Sequence, residues 1–321
     1  MEKVSNESYE DFHVLLNNMN FEDWVMNKLK IAVIFTCYNR IEKTKNCLEK
    51  ITKQGKKLSN KIELEIFCCD DNSTDGTYEM IHSRFNSVNL ILGTGNLFWA
   101  KGMAKAIEEA EKSNPDFYLM INDDVDFFED ALEIMLSSYD SVQDRYASIV
   151  GSTKDKLTGK LTYGGIKWDK KVIHEKETRI EPRFPCVKCE QTNWNCFLIP
   201  SCVYNMVGTI DDYFEHSMAD YDYSNRICRK GFPIYVAKEY IGYCSRNSIA
   251  GTWQDTSLGL VARLKALQKK TGIPPRSSWH YCKKYYGIFA PLVFIRPYIS
   301  IVKRSLILHL KSERNDRNFT G

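Results

Sequence analysis

The chain has 321 residues, of which 43% are hydrophobic and 26% are charged. This composition excludes a disordered or fibrous chain and is sufficient for a buried core in one large or two small domains. The net charge of +3 is unevenly distributed, since residues 256–321 hold 13 Lys and Arg against two acids, whereas residues 1–255 hold 31 basic and 39 acidic residues. A basic tail on an acidic body indicates an anionic surface as a partner for the tail.

The amino terminus is acidic and polar, where a secretory signal would need an apolar core. No run reaches the ~18 apolar residues of a spanning helix, and the longest, Ile288 to Ile295, contains a proline. We therefore expect a cytoplasmic protein whose 11 cysteines are reduced. Cys186 and Cys189 have the spacing of two zinc ligands, but no second such pair follows, so free thiols are the preferred interpretation.

Residues 1–28 are predicted to form an amphipathic helical lead-in, because apolar side chains recur at helical spacing. Strands and helices then alternate along the first half of the chain, with strands at 31–35, 64–69, 88–92 and 117–121 and helices at 41–54, from Thr77, and at 100–112. This order predicts an α/β fold with a Rossmann-like, mostly parallel sheet flanked by helices. After residue 150 we expect short strands at 161–166, 196–199 and 234–236, and helices at 221–230 and 258–270.

Polar clusters follow three of the predicted strands at the points where they end. Thr36 follows the first, Asp70 and Asp71 the second, and Asp123 and Asp124 the fourth. Ligands of such sheets bind outside the carboxyl ends of the strands. The clusters are therefore predicted to converge at one edge of the sheet.

Asp123 and Asp124 are adjacent carboxylates at the end of a predicted buried strand, so they repel each other and need a counter-charge. Mg²⁺ or Mn²⁺ supplies one, since such ions are held by one or two carboxylates together with substrate phosphates. The alternative is a solvated strand end in which an aspartate caps the next turn.

The segment 70–76 has the composition expected before a helix, where Asp, Asn, Ser and Thr cap the free N–H groups. The functional alternative is that Asp71 accepts a hydrogen bond from a nucleobase. The segment 93–96 lacks the third glycine of a dinucleotide fingerprint, but its backbone N–H groups can still approach a phosphate.

Asp220 and Asp222 precede a predicted helix, and Arg226 lies four residues beyond Asp222. One interpretation is a helix start with an i,i+4 ion pair. The other is a general base that takes a proton from an acceptor hydroxyl, with the second carboxylate raising its pKa.

Four segments together resemble glycosyltransferase family 2, in order and in spacing: 36–40, 70–77, 123–124 and 220–226. The resemblance covers roughly residues 30–250 and implies an inverting enzyme of the GT-A fold that uses a nucleotide-sugar donor. The segments 95–103, 193–195 and 244–253 look like a bacterial subgroup associated with surface polysaccharide assembly.

The resemblance implies a role for each matching residue. Asp220 would be the catalytic base, supported by Asp222 and Arg226, and Asp124 would ligate a Mg²⁺ or Mn²⁺ ion that bridges the diphosphate. Thr36 and Tyr38 would line the base pocket, Asp71 would bond the uracil or thymine N–H, and Asp123 would hold the ribose or sugar. The candidate donor-binding residues are thus Thr36, Tyr38, Arg40, Asp71, Asn96 and Asp123.

The sequence departs from the family pattern at the metal site. Asn122 stands where the metal motif often begins with Asp, and Cys244 and Ser245 occupy the neighbourhood of a histidine that helps to hold the metal in many members. His216 and His280 are the candidates to substitute for it.

The C-terminal segment interleaves aromatic with basic residues, a pattern typical of peripheral attachment to anionic membranes. The alternative is a helical subdomain whose aromatic residues pack on the catalytic body. We therefore divide the chain into an N-terminal helical extension (1–28), a GT-A catalytic domain (29–255) and a basic, aromatic helical C-terminal region (256–321).

The favoured hypothesis is a transferase at the inner face of the cell membrane, acting on a lipid-linked or polysaccharide acceptor. Two alternatives remain: a non-catalytic member that only binds nucleotide sugar, and a nucleic-acid-binding protein that uses the basic tail. The acidic body and the apolar run at 288–295 argue against nucleic acid, so we expect no such partner.

Overall fold

The computed structural model describes residues 28–171 and 174–319, so the predicted N-terminal extension lies outside the described residues except for Lys28. The strands are β1 (Leu29–Cys37), β2 (Ile62–Asp70), β3 (Val88–Leu92), β4 (Phe117–Ile121), β5 (Asp126–Phe127), β6 (Ser148–Lys154), β7 (Leu161–Tyr163), β8 (Gly165–Lys171), β9 (His174–Arg179), β10 (Val187–Cys189), β11 (Gln191–Thr192), β12 (Cys196–Pro200) and β13 (Ile234–Tyr243). The helices are α1 (Ile41–Lys57), α2 (Thr77–Arg84), α3 (Phe98–Glu111), α4 (Ala131–Val142), α5 (Ser201–Val207), α6 (Ala219–Arg229), α7 (Leu260–Leu267), α8 (Pro275–Tyr286) and α9 (Ala290–Phe319).

The main sheet has ten strands, with the order β10-β13-β6-β12-β4-β1-β2-β3 and with β5 and β7 added beside β13 and β6. Strands β4, β1, β2 and β3 are parallel to one another, whereas β12 runs antiparallel to both β4 and β6. A second sheet pairs β11, β8 and β9. The structure confirms the predicted mostly parallel, helix-flanked sheet and the strand expected at 196–199. It adds the antiparallel direction of that strand, β12, and the helix α4, neither of which was predicted from the sequence.

Strand β1 shows why the first half of the chain folds in this way. Its residues 31–35 are all buried, because successive side chains point to opposite faces and helices cover both faces. Val33 packs with the core on one side, together with Leu48 of α1, and Ile34 packs on the other side, together with Met103 of α3. An uninterrupted apolar run is therefore what this central position requires.

Helix α3 approaches the end of β1 unusually closely. A Cβ atom at Gly102 would overlap the hydroxyl group of Thr36, so glycine is needed for the contact. The Thr36 hydroxyl donates a hydrogen bond to the carbonyl oxygen of Cys69 in β2, at 2.8 Å. The close contact at Gly102 thus sets α3 against the edge at which the polar clusters converge.

The C-terminal helices are partly integrated into the body. Tyr281 of α8 belongs to the buried cluster on the α3 side of the sheet, whereas α9 buries only Ala290 and Ile301 among its described side chains. The segment Pro275–Ile307 is long and apolar enough to cross a membrane by length and composition, since it contains an 18-residue window with a mean hydropathy of 1.4. Charged residues, among them Lys284 and Arg296, divide this segment, so it contains no uninterrupted apolar run of that length. Core helices of soluble proteins can also be this long and apolar. The predicted boundary between the catalytic domain and the C-terminal region, at residue 255, stays a prediction.

Candidate active site

A cavity of about 710 Å³ lies at the carboxyl ends of β1, β2 and β4. Seven of the residues selected from the sequence line it: Thr36, Tyr38, Arg40, Asp71, Asp123, Asp124 and Asp220. The predicted convergence of the polar clusters is therefore confirmed. Three further candidates, Asn96, Asp222 and Arg226, are not among the lining residues.

Asp71 is a buried carboxylate that organises the loop before α3. Its Oδ1 accepts the backbone N–H of Gly95 at 2.8 Å, and its Oδ2 accepts those of Leu97 and Phe98 at 2.9 and 3.0 Å. It thus caps the start of α3 from a different loop. A carboxylate has about four acceptor positions, so one remains for a ligand N–H. The Asn96 side chain is exposed and does not line the cavity, so its role in donor binding stays a prediction.

The capping interpretation of the segment 70–76 holds for two other carboxylates. Asp70 accepts the backbone N–H of Ser73 at 2.7 Å. Asp75 accepts the backbone N–H of Thr77 at 3.1 Å and that of Ile41 at 3.0 Å, which ties the starts of α1 and α2 together. Local capping and cavity lining therefore belong to different residues of the same motif.

Replacing Asp71 with asparagine should loosen the loop before α3. The asparagine side chain accepts fewer hydrogen bonds than the carboxylate, and its NH₂ group would face backbone N–H donors. The hydrogen bonds lost are bonds to a charged group, which contribute about 1.5–3 kcal/mol each. We expect the exchange of the Gly95, Leu97 and Phe98 amide hydrogens to accelerate at least about tenfold, measured by hydrogen–deuterium exchange. Asp75→Asn is the matched control and should leave these amides protected. Unchanged protection in Asp71→Asn would contradict the role.

Arg40 provides the counter-charge that the acidic pair requires. Its Nη1 lies 3.1 Å from Asp123 Oδ1 and 3.2 Å from Asp124 Oδ2, while the hydroxyl of Thr44 donates to Asp123 Oδ2 at 2.8 Å. Burial raises the pKa of Asp123 to about 6, although Arg40 and Thr44 act in the opposite direction. A guanidinium thus holds both carboxylates in place and supplies a counter-charge that does not depend on a metal ion.

The donor groups around Asp124 fit a cation that takes few ligands from the protein. The Asn122 amide oxygen accepts the indole N–H of Trp99 at 2.9 Å, and Cys244 Sγ lies 3.9 Å from Asp124 Oδ1. Within the described ranges, no group of three or more His, Cys, Asp or Glu side chains is placed to hold a metal. One carboxylate together with diphosphate oxygens is nevertheless a sufficient set for Mg²⁺ or Mn²⁺.

The two histidines considered as additional ligands occupy different places. His280 Nε2 lies 3.1 Å from Asp211 Oδ2, and its ring stacks on Tyr213 outside the cavity lining, so it does not substitute at the metal position. His216 lines the cavity, and its buried Nδ1 finds no hydrogen-bond partner in the described part of the chain. Burial and the nearby Arg40 lower the pKa of His216, which favours the neutral imidazole that binds metals.

Asp220 lies on the other side of the cavity, in the first turn of α6. Its Oδ1 accepts the backbone N–H of Tyr221 at 2.9 Å, and its Oδ2 lies 3.4 Å from Asn193 Nδ2. No ion pair to this carboxylate occurs among the described residues, and burial raises its pKa to about 6. A carboxylate with that pKa, open to a cavity, can accept a proton near neutral pH.

The predicted support of Asp220 by Asp222 and Arg226 has to be corrected. Positions 220 and 222 are about 200° apart around a helix, so their side chains face opposite sides. Asp222 is buried and pairs with Arg226 Nε at 3.0 Å and with Lys284 Nζ at 2.7 Å. These residues join α6 to α8, and the pKa of Asp220 is raised by burial rather than by Asp222.

Several cavity residues were missed or given no role: Trp99, Tyr163, Trp194, Asn247 and Tyr281. Trp194 is almost completely buried, with its ring in edge contact with those of Trp99 at 5.5 Å and Tyr223 at 5.0 Å. The segments 95–103 and 193–195, which look like a bacterial subgroup, contain both tryptophans and are the sequence signal for them. No sequence pattern indicates that Tyr281 lines the cavity, because it lies in α8, within the C-terminal region 256–321 that is predicted to be separate from the catalytic domain.

A family model described as glycosyl transferase family 2 matches residues 32–189. Together with the fold, this match identifies that part of the chain as a domain of glycosyltransferase family 2, and it supports a glycosyl transfer function. No curated protein sequence matches the chain significantly.

The chain is also similar in fold to two solved glycosyltransferase structures. One is S. aureus TarS 1-349 in complex with UDP-GlcNAc, with 13% identity, a TM-score of 0.48, and coverage of 87% of this chain and 82% of that one. The other is the mannosyltransferase PcManGT from Pyrobaculum calidifontis with GDP-Man and Mn²⁺, with 13% identity, a TM-score of 0.46, and coverage of 93% and 87%.

Proposed function

We propose that this chain is an inverting glycosyltransferase that uses a UDP- or dTDP-linked sugar donor. The observation that carries the proposal is the position of Asp220, a half-buried carboxylate that lines the same cavity as Asp71, Asp123 and Asp124. A proton acceptor and a nucleotide-binding edge in one cavity are what transfer to a hydroxyl group needs.

In the proposed reaction, Asp220 accepts the proton of the acceptor hydroxyl while that oxygen attacks the anomeric carbon of the donor. The new glycosidic bond forms as the bond between that carbon and the diphosphate oxygen breaks, and the electron pair leaves with the diphosphate. Attack from the side opposite the leaving group inverts the anomeric carbon. Asp71 would bind the base and Asp123 the ribose or sugar.

A Mg²⁺ or Mn²⁺ ion bound by Asp124, with His216 as a further candidate ligand, would stabilise the negative charge of the departing diphosphate. Arg40 contributes in the same region, because it holds Asp123 and Asp124 in position before the donor binds. Its guanidinium also places a fixed positive charge at the edge of the cavity, where an incoming diphosphate would be attracted.

We further propose that the acceptor is lipid-linked or a growing polysaccharide in bacterial surface glycan synthesis. The enzyme would work at the inner face of the cell membrane, attached peripherally through the C-terminal region. The support for this part is the resemblance of the segments 193–195 and 244–253 to a bacterial subgroup and the excess of basic residues in 256–321.

Calorimetric titration with UDP and with dTDP, each with and without Mn²⁺, tests the donor site. We expect one nucleotide to bind in a metal-dependent manner, and Asp124→Ala to weaken that binding at least about tenfold, since a loss of about 1.4 kcal/mol suffices. Asp126→Ala is the matched control, because Asp126 lies outside the cavity lining and pairs with Lys50.

Failure of both nucleotides to bind under any metal condition would overturn the proposed function. Nucleotide binding without transfer to any acceptor, unaffected by replacement of Asp220, would instead favour the non-catalytic alternative.

A further inference from the structure

Helix α9 carries a continuous line of exposed aliphatic side chains, which we name the apolar stripe. Its members are Ile288, in the turn just before the helix, and Leu292, Ile295, Ile299, Val302 and Leu306. They are separated by four, three, four, three and four residues, a spacing that keeps them on one face of a helix. Their exposed fractions range from 38% to 89%, so none of the elements that the structure describes covers them.

A shallow groove of about 540 Å³ continues the apolar stripe at the start of α9. It shares Ile295 with the stripe and is otherwise lined by Tyr213, Pro275, Arg276, Trp279, Pro291 and Phe294. The rings of Trp279 and Phe294 are in edge contact, with centroids 5.4 Å apart. Indole rings beside an aliphatic surface, next to an arginine, have the composition preferred at the boundary between lipid and water.

The charge around the apolar stripe has a single sign. Residues 256–307 contain no Asp or Glu, whereas Arg296 and Lys303 follow stripe residues at one border of the helix face. The acids that pair with basic residues of this region, such as Asp211 and Glu215, belong to the catalytic body. The surface is therefore complementary to the anionic phosphate layer of a bilayer, with aliphatic side chains placed to enter below that layer.

The opposite face of α9 packs on the protein. Ile301 is buried, and the Ser305 hydroxyl accepts a hydrogen bond from Arg263 of α7 at 3.0 Å. A helix that crosses a membrane is apolar all round, whereas α9 carries the charged residues Arg296, Lys303 and Arg304 beside and behind the apolar stripe. This geometry suits a helix that lies in the plane of the interface.

A second copy of the chain is a poorer partner for the same stripe. Symmetric pairing would bring Arg296, Lys303 and Arg304 of one copy toward the same residues of the other, with no acid on this part of the helix to compensate. Like charges in that arrangement oppose association. An anionic bilayer turns the same residues into favourable contacts.

We propose that α9 is an in-plane membrane anchor, whose apolar stripe and adjoining groove embed in the surface of an anionic bilayer. This anchor adds a membrane-binding surface to the proposed enzyme. Its use in reaching a lipid-linked acceptor rests on the proposed function. The loop that places Tyr213 in the groove places His216 in the cavity, and α8 likewise places Trp279 in the groove and Tyr281 in the cavity. Embedding the groove therefore brings an acceptor held in the bilayer close to the cavity.

The test is flotation of the full chain with vesicles of phosphatidylglycerol and phosphatidylcholine. Wild type is expected to float with anionic vesicles and not with pure phosphatidylcholine. The double variant Ile295→Glu with Ile299→Glu should reduce the bound fraction at least about tenfold, since it removes two embedded aliphatic side chains. The matched control, Leu92→Glu with Leu157→Glu, makes the same change of charge at exposed leucines elsewhere and should bind like wild type.

Two further measurements distinguish a bilayer from a second copy of the chain as the partner of the apolar stripe. Without vesicles, the Ile295 and Ile299 variant should keep the mass and the melting temperature of wild type, because both residues face solvent. A fall in mass or in melting temperature, absence of wild-type binding, or equal losses in variant and control would overturn the proposal. Titration of the same variant with UDP or dTDP distinguishes failure of the membrane anchor from failure of the donor site. Nucleotide affinity should be unchanged in this variant, because none of the described α9 side chains lines the cavity.

Discussion

Replacing Asp220 with asparagine is expected to reduce kcat by about 10²–10⁴-fold while leaving nucleotide affinity unchanged. General acid–base catalysis contributes a factor of this size, and an amide keeps the shape of the side chain but cannot accept the proton. The measurement is a steady-state transfer assay, combined with calorimetric titration of UDP or dTDP to show that the donor site is intact.

The pH dependence gives an independent test of the same residue. Burial raises the pKa of Asp220 to about 6, and a base acts only when it is deprotonated. We therefore expect kcat/KM to rise with pH up to about 6 and to level off above it. The control Asp212→Asn changes an exposed aspartate in the preceding loop and should retain the wild-type profile. A tenth or more of wild-type kcat in Asp220→Asn would remove Asp220 from the mechanism.

Replacing Asp222 with alanine is expected to lower the free energy of unfolding by about 3–5 kcal/mol, the usual result of removing one partner from a buried ion pair. The side chain is buried, and it contacts Arg226 Nε, Lys284 Nζ and the Tyr285 hydroxyl at 3.0, 2.7 and 2.7 Å. Its loss leaves cationic groups without their partner between α6 and α8. Chemical denaturation followed by circular dichroism measures the change.

The double variant Asp222→Ala with Arg226→Ala is the informative companion. Removing both members of the pair leaves no uncompensated guanidinium, so its loss should be smaller than the sum of the two single losses. A catalytic role predicts the opposite pattern, with normal stability and a lost turnover. Additive losses would show that the two side chains do not act as a pair.

The strands that could be predicted from the sequence are those whose pattern of apolar residues matches their burial in the folded sheet. Strand β3 was predicted with its observed bounds, as was β4, and β1 extends by two residues on each side of the predicted run. A strand buried on both faces must be apolar throughout, so burial leaves a direct signal in the sequence. Strand β12 has the same signal, but no local pattern indicates that it runs antiparallel between β4 and β6.

The candidate site divides in the same way. The sequence order of strand and polar turn was sufficient to bring Thr36, Asp71 and Asp124 together, because parallel strands end at one edge. It could not separate Asp220 from Asp222, since both lie in the first turn of α6, and only the packing of that helix decides which side chain lines the cavity and which one meets Lys284 of α8. Nor could it place Arg40 between Asp123 and Asp124, a contact that joins residues more than 80 positions apart.

The sequence alone determined the class of fold and most of the polar residues that line the cavity at the strand ends, because apolar period and strand-end chemistry are local properties. The tertiary structure decided which carboxylates are free and which are paired, because a pairing depends on side chains brought together from distant elements. It also decided which apolar residues of the C-terminal region are covered. Ile301 and Ile299 are both isoleucine in one helix, yet Ile301 is fully buried and Ile299 is 56% exposed. Only the packing of α9 on α7 and α8 distinguishes them.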